Sequence, residues 1–196
     1  LSPRLAFLAS NNGSAMRAIV AAIAAGTLAA EAVMVISNRA GAPALDFAAA
    51  QGVKAVVIPT KDDPEAADAR LCAALMAEKI DLVILSGYLR KLGPKTLAAF
   101  ENRILNTHPA LLPKHGGHGM YGRRVHEAVV AAGDMETGAT IHLVDGEYDH
   151  GRIIAQAKLP VTPDMTVDAV EQAVLAAEKE LFVETLRRIV AWDLRL

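Results

Sequence analysis

Three features of the 196-residue chain predict its fold class: short apolar runs alternating with helix-spaced segments, a continuous apolar Leu82 to Leu85, and two extended runs joined by a short excursion late in the sequence. Together they indicate an α/β fold of Rossmann-like build. The sheet is mostly parallel with helices on both faces, and antiparallel strands are added in the C-terminal part.

Arg4 to Ala9 is the first strand, and it halts at Ser10-Asn11-Asn12-Gly13-Ser14. Met16, Ile19, Val20 and Ile23 then recur at helical spacing. Ala32 to Ser37 is the second strand, followed by a helix through Leu45 and Phe47 that ends near Gly52. Val53 to Ile58 is the third. Pro64 opens a helix whose Leu71, Leu75 and Met76 are expected on one face, before the buried strand Leu82 to Leu85. Ligands of such sheets gather at the carboxyl ends of strands, so Ser10 to Ser14, Gly87 to Leu92 and Asn106 to His108 are expected on one rim, each after an apolar strand.

The second half changes character. The loop from Pro109 to Arg124 holds four glycines and two prolines and is longer than most connections in compact domains, which suits a binding or lid segment. A short helix starts near Val125. Ala139 to Val144 and Arg152 to Leu159 are extended runs joined by Asp145 to Gly151, with Asp149 near the tip of the excursion. The last helix follows Pro163 with Thr166 as its cap and runs to about Val190.

Composition narrows the function. The length suits one domain over residues 1–196, and with 53% hydrophobic but only 4% aromatic residues the core must be mostly aliphatic. Twenty basic and 22 acidic residues leave a net charge of -2, which gives no broad cationic field for a nucleic-acid backbone. A small-molecule partner is expected. Cys72 is the only cysteine and falls within a helical apolar pattern, predicting a buried thiol in a reducing cytoplasm. No apolar run approaches the ~20 residues that span a bilayer, and Leu1 to Arg4 lacks the layout of a secretory signal. A cytoplasmic location without membrane contact is expected.

Several residues can carry chemistry. The turn after the first strand precedes a helix, where backbone N–H groups and the positive end of the dipole favour an anion such as phosphate; ordinary capping is the alternative. Asn106 and His108, two apart in an extended chain, leave the same face and can donate to one oxyanion. They equally suit a turn-closing amide and a satisfied histidine. Asp149 adds a carboxylate if its loop returns to His108. His115 and His118 have no further ligand pattern, so no metal is expected; His126 and His150 read as solvated, and for His142, in an extended apolar segment, a structural and a functional role are both open. Glu178 interrupts the apolar stripe of Val167, Val170, Val174, Leu181 and Phe182, and so needs either a ligand group or an arginine as partner.

Four segments together resemble the phosphoribosylglycinamide formyltransferases of purine biosynthesis: Ser10-Asn-Asn-Gly-Ser14, Gly87-Tyr-Leu-Arg-Lys-Leu-Gly-Pro94, Ile104-Leu-Asn-Thr-His-Pro-Ala-Leu-Leu-Pro113, and His142 to Gln156. The strongest element is Asn-x-His-Pro-x-Leu-Leu-Pro followed by the Asp-x-Gly of Asp149 to Gly151, a signature of the wider folate-dependent group. The resemblance implies transfer of a formyl group from the co-substrate 10-formyltetrahydrofolate to the amine of glycinamide ribonucleotide, without a metal. It implies that Asn106, His108 and Asp149 are catalytic. Asn11, Asn12, Gly13 and Ser14 would receive the substrate phosphate and Glu178 the ribonucleotide. Leu85, Arg90, Lys91, Leu92 and Val144, with Asn106, would line the folate pocket. Where the family usually shows Gly-Asn-Gly-Ser-Asn, this chain has Asn11 and Ala15, so Asn11 is expected to adopt the glycine's backbone angle. Lys91 replaces a usual aliphatic residue.

From the length given, neither the extra C-terminal domain of relatives acting on initiator tRNA nor the N-terminal regulatory domain of a formyltetrahydrofolate hydrolase is expected. A monomer or homodimer is expected. A flavodoxin-like nucleotide- or flavin-binding module without a catalytic trio is the alternative from a different class.

Overall fold

The first strand, β1 (Arg4–Leu8), is fully buried from Leu5 onward, as expected of a central strand covered on both faces. The computed structural model describes residues 2–196; Leu1, the first residue of the start examined for a secretory signal, lies outside them. The remaining strands are β2 (Glu31–Ser37), β3 (Lys54–Val57), β4 (Leu82–Leu85), β5 (Ile104–His108), β6 (Glu136–Leu143) and β7 (Ile153–Pro160). Six helices occur among the described residues: α1 (Ser14–Ala24), α2 (Pro43–Ala50), α3 (Pro64–Ala77), α4 (Pro94–Ala99), α5 (Arg123–Ala131) and α6 (Val167–Val190). None is long and apolar enough to cross a membrane.

The strands form one seven-stranded sheet in the order β3-β2-β1-β4-β5-β6-β7. All pairs from β3 to β5 are parallel, whereas β5–β6 and β6–β7 are antiparallel. The chain thus runs outward from β1 to β3 and then crosses back to β4. That reversal opens a crevice between the ends of β1 and β4.

Alternating side chains sort into two cores. Leu5, Phe7, Val35, Ile84, Leu105 and Ile141 meet α1, α2 and α6 on one face. On the other, Ala6, Leu8, Met34, Val83, Leu85 and Ile104 meet α3 and Phe100. Helix ends follow local chemistry: Asp63 Oδ1 accepts from Ala66 N at 2.9 Å ahead of Pro64, and Thr166 Oγ1 accepts from Ala169 N at 3.1 Å. Each such cap stabilises by about 1 kcal/mol.

Some expectations are corrected. Met76 is 61% exposed, because Leu71 and Leu75 alone complete the stripe of α3. Cys72 is only half-buried; its Sγ lies 3.8 Å from the Lys95 carbonyl, where α3 is covered by α4. Asn106 to His108 do not follow a strand but form the last three residues of β5. Helix α4 had no apolar stripe long enough to announce it.

Candidate active site

The rim begins at the turn after β1. Gly13 takes φ 66° and stands at the N-cap of α1, which has no side-chain cap and no acidic residue in its first turn. The helix therefore presents an uncompensated positive end. Asn11 is not among the residues with positive φ, so the expected strain is absent there: the left-handed position belongs to Gly13. The Asn11 side chain instead accepts from Arg39 Nη1 at 2.5 Å, and Arg17 Nε donates to the Asn12 carbonyl at 2.8 Å. Two arginines thus flank the turn, and neither was anticipated, since Arg39 arrives from the end of β2.

This turn is tied to the one after β4. Ser10 N donates to the Gly87 carbonyl, Leu89 N to Ser10 Oγ at 2.8 Å, and Met16 N to Ser86 Oγ at 3.0 Å. Leu85 and Leu92 are buried in one apolar cluster with Val144 packed against it, while Arg90 and Lys91 are exposed at its mouth. Lys91 Nζ lies 5.8 Å from the Tyr148 ring centroid, and Tyr148 meets His118 edge-on at 5.9 Å. Three loops close on one another there.

At the end of β5 the antiparallel register sets Asn106 opposite His142 and His108 opposite Thr140. Asn106 and His108 share a face, as their spacing predicts. The β6–β7 connection brings Asp149 back to them, with Oδ2 3.3 Å from His108 Nδ1 and Oδ1 3.5 Å from His142 Nε2. Gly151 permits this return: a Cβ there would stand 1.8 Å from the Leu143 carbonyl oxygen. Asp149 itself is held at φ 53°, a conformation that costs a non-glycine residue energy and that aspartate tolerates better than most.

His142, whose role the residue order leaves open, belongs to this cluster. Its Nδ1 faces the Leu143 carbonyl at 2.9 Å and must donate, while Nε2 faces both Asn106 Nδ2 at 3.2 Å and Asp149 Oδ1 at 3.5 Å. Strand register supplied the contact, and register is not visible in the residue order. His126 is also corrected, being buried with no partner for Nδ1 rather than solvated; burial lowers its pKa. His150 is exposed as expected and pairs with Asp145.

Electrostatics divide the cluster. Burial lowers the His108 pKa, opposed by the Asp149 charge and by the hydrogen bond to the His115 carbonyl. For Asp149, burial works to raise the pKa, but the His142 hydrogen bond, the His108 charge and the Gly117 amide bring it below the usual carboxylate range. Glu178 lies across the sheet from Asn106 and His108, where Thr107 Oγ1 donates to it at 3.2 Å. Burial pushes its carboxyl up to about 7, partly offset by that bond. Among the described residues it has no arginine partner, which leaves a ligand group as the remaining expectation. The described residues contain no cluster of three or more metal-ligating side chains.

A half-buried amide, two buried imidazoles and an ionised carboxylate beside an apolar cluster suit stabilisation of an oxyanion and proton transfer during acyl transfer. Residues 3–186 match the model of the formyl transferase family. The chain is 36% identical over 188 residues, 95% of its length, to a chloroplastic phosphoribosylglycinamide formyltransferase from Vigna unguiculata, of which it spans 60%. It is 34% identical to the phosphoribosylglycinamide formyltransferase of Haemophilus influenzae, covering 98% of this chain and 90% of that one. Among solved structures, glycinamide ribonucleotide transformylase 1 from Symbiobacterium toebii superposes with a TM-score of 0.90 at 34% identity, covering 100% of this chain and 91% of the other.

Proposed function

The chain belongs to the formyl transferase family, and from that premise we propose that it transfers the formyl group of 10-formyltetrahydrofolate to the amine of glycinamide ribonucleotide. The observation that carries this reading is the convergence of Asn106, His108 and Asp149 on the rim that also holds the α1 N-terminus and the Leu85–Leu92–Val144 apolar cluster.

The substrate amine attacks the formyl carbon, giving a tetrahedral intermediate whose oxygen takes a hydrogen bond from Asn106 Nδ2 and is stabilised by the positive charge of the His108 imidazolium, whose own N–H groups are held by Asp149 and the His115 carbonyl. Loss of one such donor costs on the order of a hundredfold or more in rate. Asp149 stabilises the imidazolium and relays a proton from the attacking nitrogen towards the departing folate nitrogen. Collapse expels tetrahydrofolate and leaves the formylated amine. No covalent enzyme intermediate is needed.

Around this centre, Asn11 to Ser14 receive the substrate phosphate on backbone amides, with Arg17 and Arg39 adding positive charge. Glu178 contacts the ribonucleotide. Leu85, Leu92 and Val144 hold the folate ring system, with Arg90 and Lys91 at the entrance. The test is a folate assay on the purified chain: deformylated folate is released only when glycinamide ribonucleotide is present. Release without the ribonucleotide would identify a hydrolase and refute the proposal.

A further inference from the structure

Both nitrogens of His108 are engaged by hydrogen-bond acceptors, and only one of these is Asp149. His108 Nε2 lies 2.7 Å from the His115 carbonyl oxygen, and a carbonyl can only accept, so Nε2 carries a proton. A neutral ring protonated there turns its bare Nδ1 towards the Asp149 carboxylate 3.3 Å away, an acceptor against an acceptor. The pair is satisfied only when both nitrogens are protonated.

The carbonyl is held in place by its own side chain. His115 Nε2 meets Asp134 Oδ2 at 2.6 Å, with His115 and Asp134 side chains 15% and 10% exposed, and Lys114 also pairs with Asp134. Hydrogen bonds from Lys114 and His115 keep the Asp134 carboxyl below its usual range, so the anchor is ionised. His115 sits at φ 54°. Of the five non-glycine residues with positive φ among the described residues, two are His115 and Asp149, the two that face His108's nitrogens. The adjoining loop is packed rather than loose. Leu112 N donates to Thr140 Oγ1 at 3.0 Å, and a Cβ on Gly116 would stand 2.4 Å from Leu112 Cδ2.

We infer that His115 and Asp134 are positioning residues: the Asp134-anchored side chain of His115 holds its own carbonyl against His108 Nε2, fixing the orientation of the imidazole and favouring its doubly protonated form. The inference rests on His108 being the imidazole of the proposed formyl transfer. The other ionisable groups near His108 are Asp149, His142 and His126, none of which contacts His115's side chain.

The experiment follows the His108 Cε1–H resonance through a pH titration of the full chain by NMR, assigned by its loss in His108→Asn. Steady-state kinetics accompany it. In His115→Leu the His108 midpoint moves to lower pH, and kcat falls roughly 10- to 100-fold with little change in either KM. His115→Gln, whose amide can still donate to Asp134, restores both, and Lys114→Ala leaves both at the starting level. Asp134→Ala reproduces the His115→Leu shift and serves if that variant does not fold. An unmoved His108 midpoint in folded His115→Leu or Asp134→Ala overturns the inference, as does an equal shift in Lys114→Ala. Because the titration needs no substrate, a shifted midpoint in a protein that makes no formylated product would remove the proposed function and leave the positioning role standing.

Discussion

The two ends of the rim offer ligands different kinds of group. After β1, the available groups are backbone amides of a short turn and two arginines, Arg39 exposed and Arg17 half-buried, arranged by one left-handed glycine. At the end of β5 they are buried and half-buried side chains from β5, β6 and the β6–β7 excursion, held by backbone groups of a long loop. The first end is suited to holding a charged group whose position must be fixed but whose chemistry does not change. The second is suited to a group whose charge changes during reaction, because removing water strengthens every interaction there. Substitutions at the two ends should therefore separate into binding and turnover effects.

The largest effect is expected at Asp149. Asp149→Asn keeps size and one acceptor but loses the charge that opposes burial of protonated His108, so kcat should fall by at least about a hundredfold with modest changes in KM. Steady-state kinetics over both substrates check this. Near-normal turnover would remove the division between the two ends.

A smaller and opposite pattern is expected at Gly13. With φ 66° and a Cβ landing 2.9 Å from Met16 Cε, Gly13→Ala strains the turn. KM for the ribonucleotide should rise roughly tenfold, equivalent to about 1.4 kcal/mol, with kcat largely retained. A fall in kcat at unchanged KM would contradict the holding role.

The smallest effect concerns Glu178, which faces neither end directly. Its pKa is raised from 4.5 to about 7 in the folded protein, which therefore binds that proton more tightly than the unfolded chain does. This contribution is fully present below about 4.5 and is lost as pH rises to about 7. The difference in Tm between wild type and Glu178→Gln should accordingly fall across that window and be flat above it, by thermal unfolding at a series of pH values. A pH-independent difference would place the carboxyl in water.

The two ends also differed in how far the sequence disclosed them. A strand, an Asn/Gly/Ser turn and a helix-spaced run follow one another within twenty residues, so the turn after β1 was readable locally, as were the paired faces of Asn106 and His108. His142 stayed unassigned because its place opposite Asn106 depends on antiparallel register across a 36-residue gap. Arg39 was missed because it reaches Asn11 only through β1–β2 pairing. The expected strain at Asn11 came from matching a glycine by position, whereas the chain meets the left-handed requirement two residues later at Gly13. Local periodicity carries the fold; side-chain meetings across the sheet require coordinates.

The proposed passage of the formyl carbon to a substrate amine at the buried end of the rim is tested by following a labelled formyl carbon from 10-formyltetrahydrofolate in the presence of saturating glycinamide ribonucleotide. The label is expected in the formylated ribonucleotide, one for each tetrahydrofolate released. Label recovered as free formate would refute direct transfer.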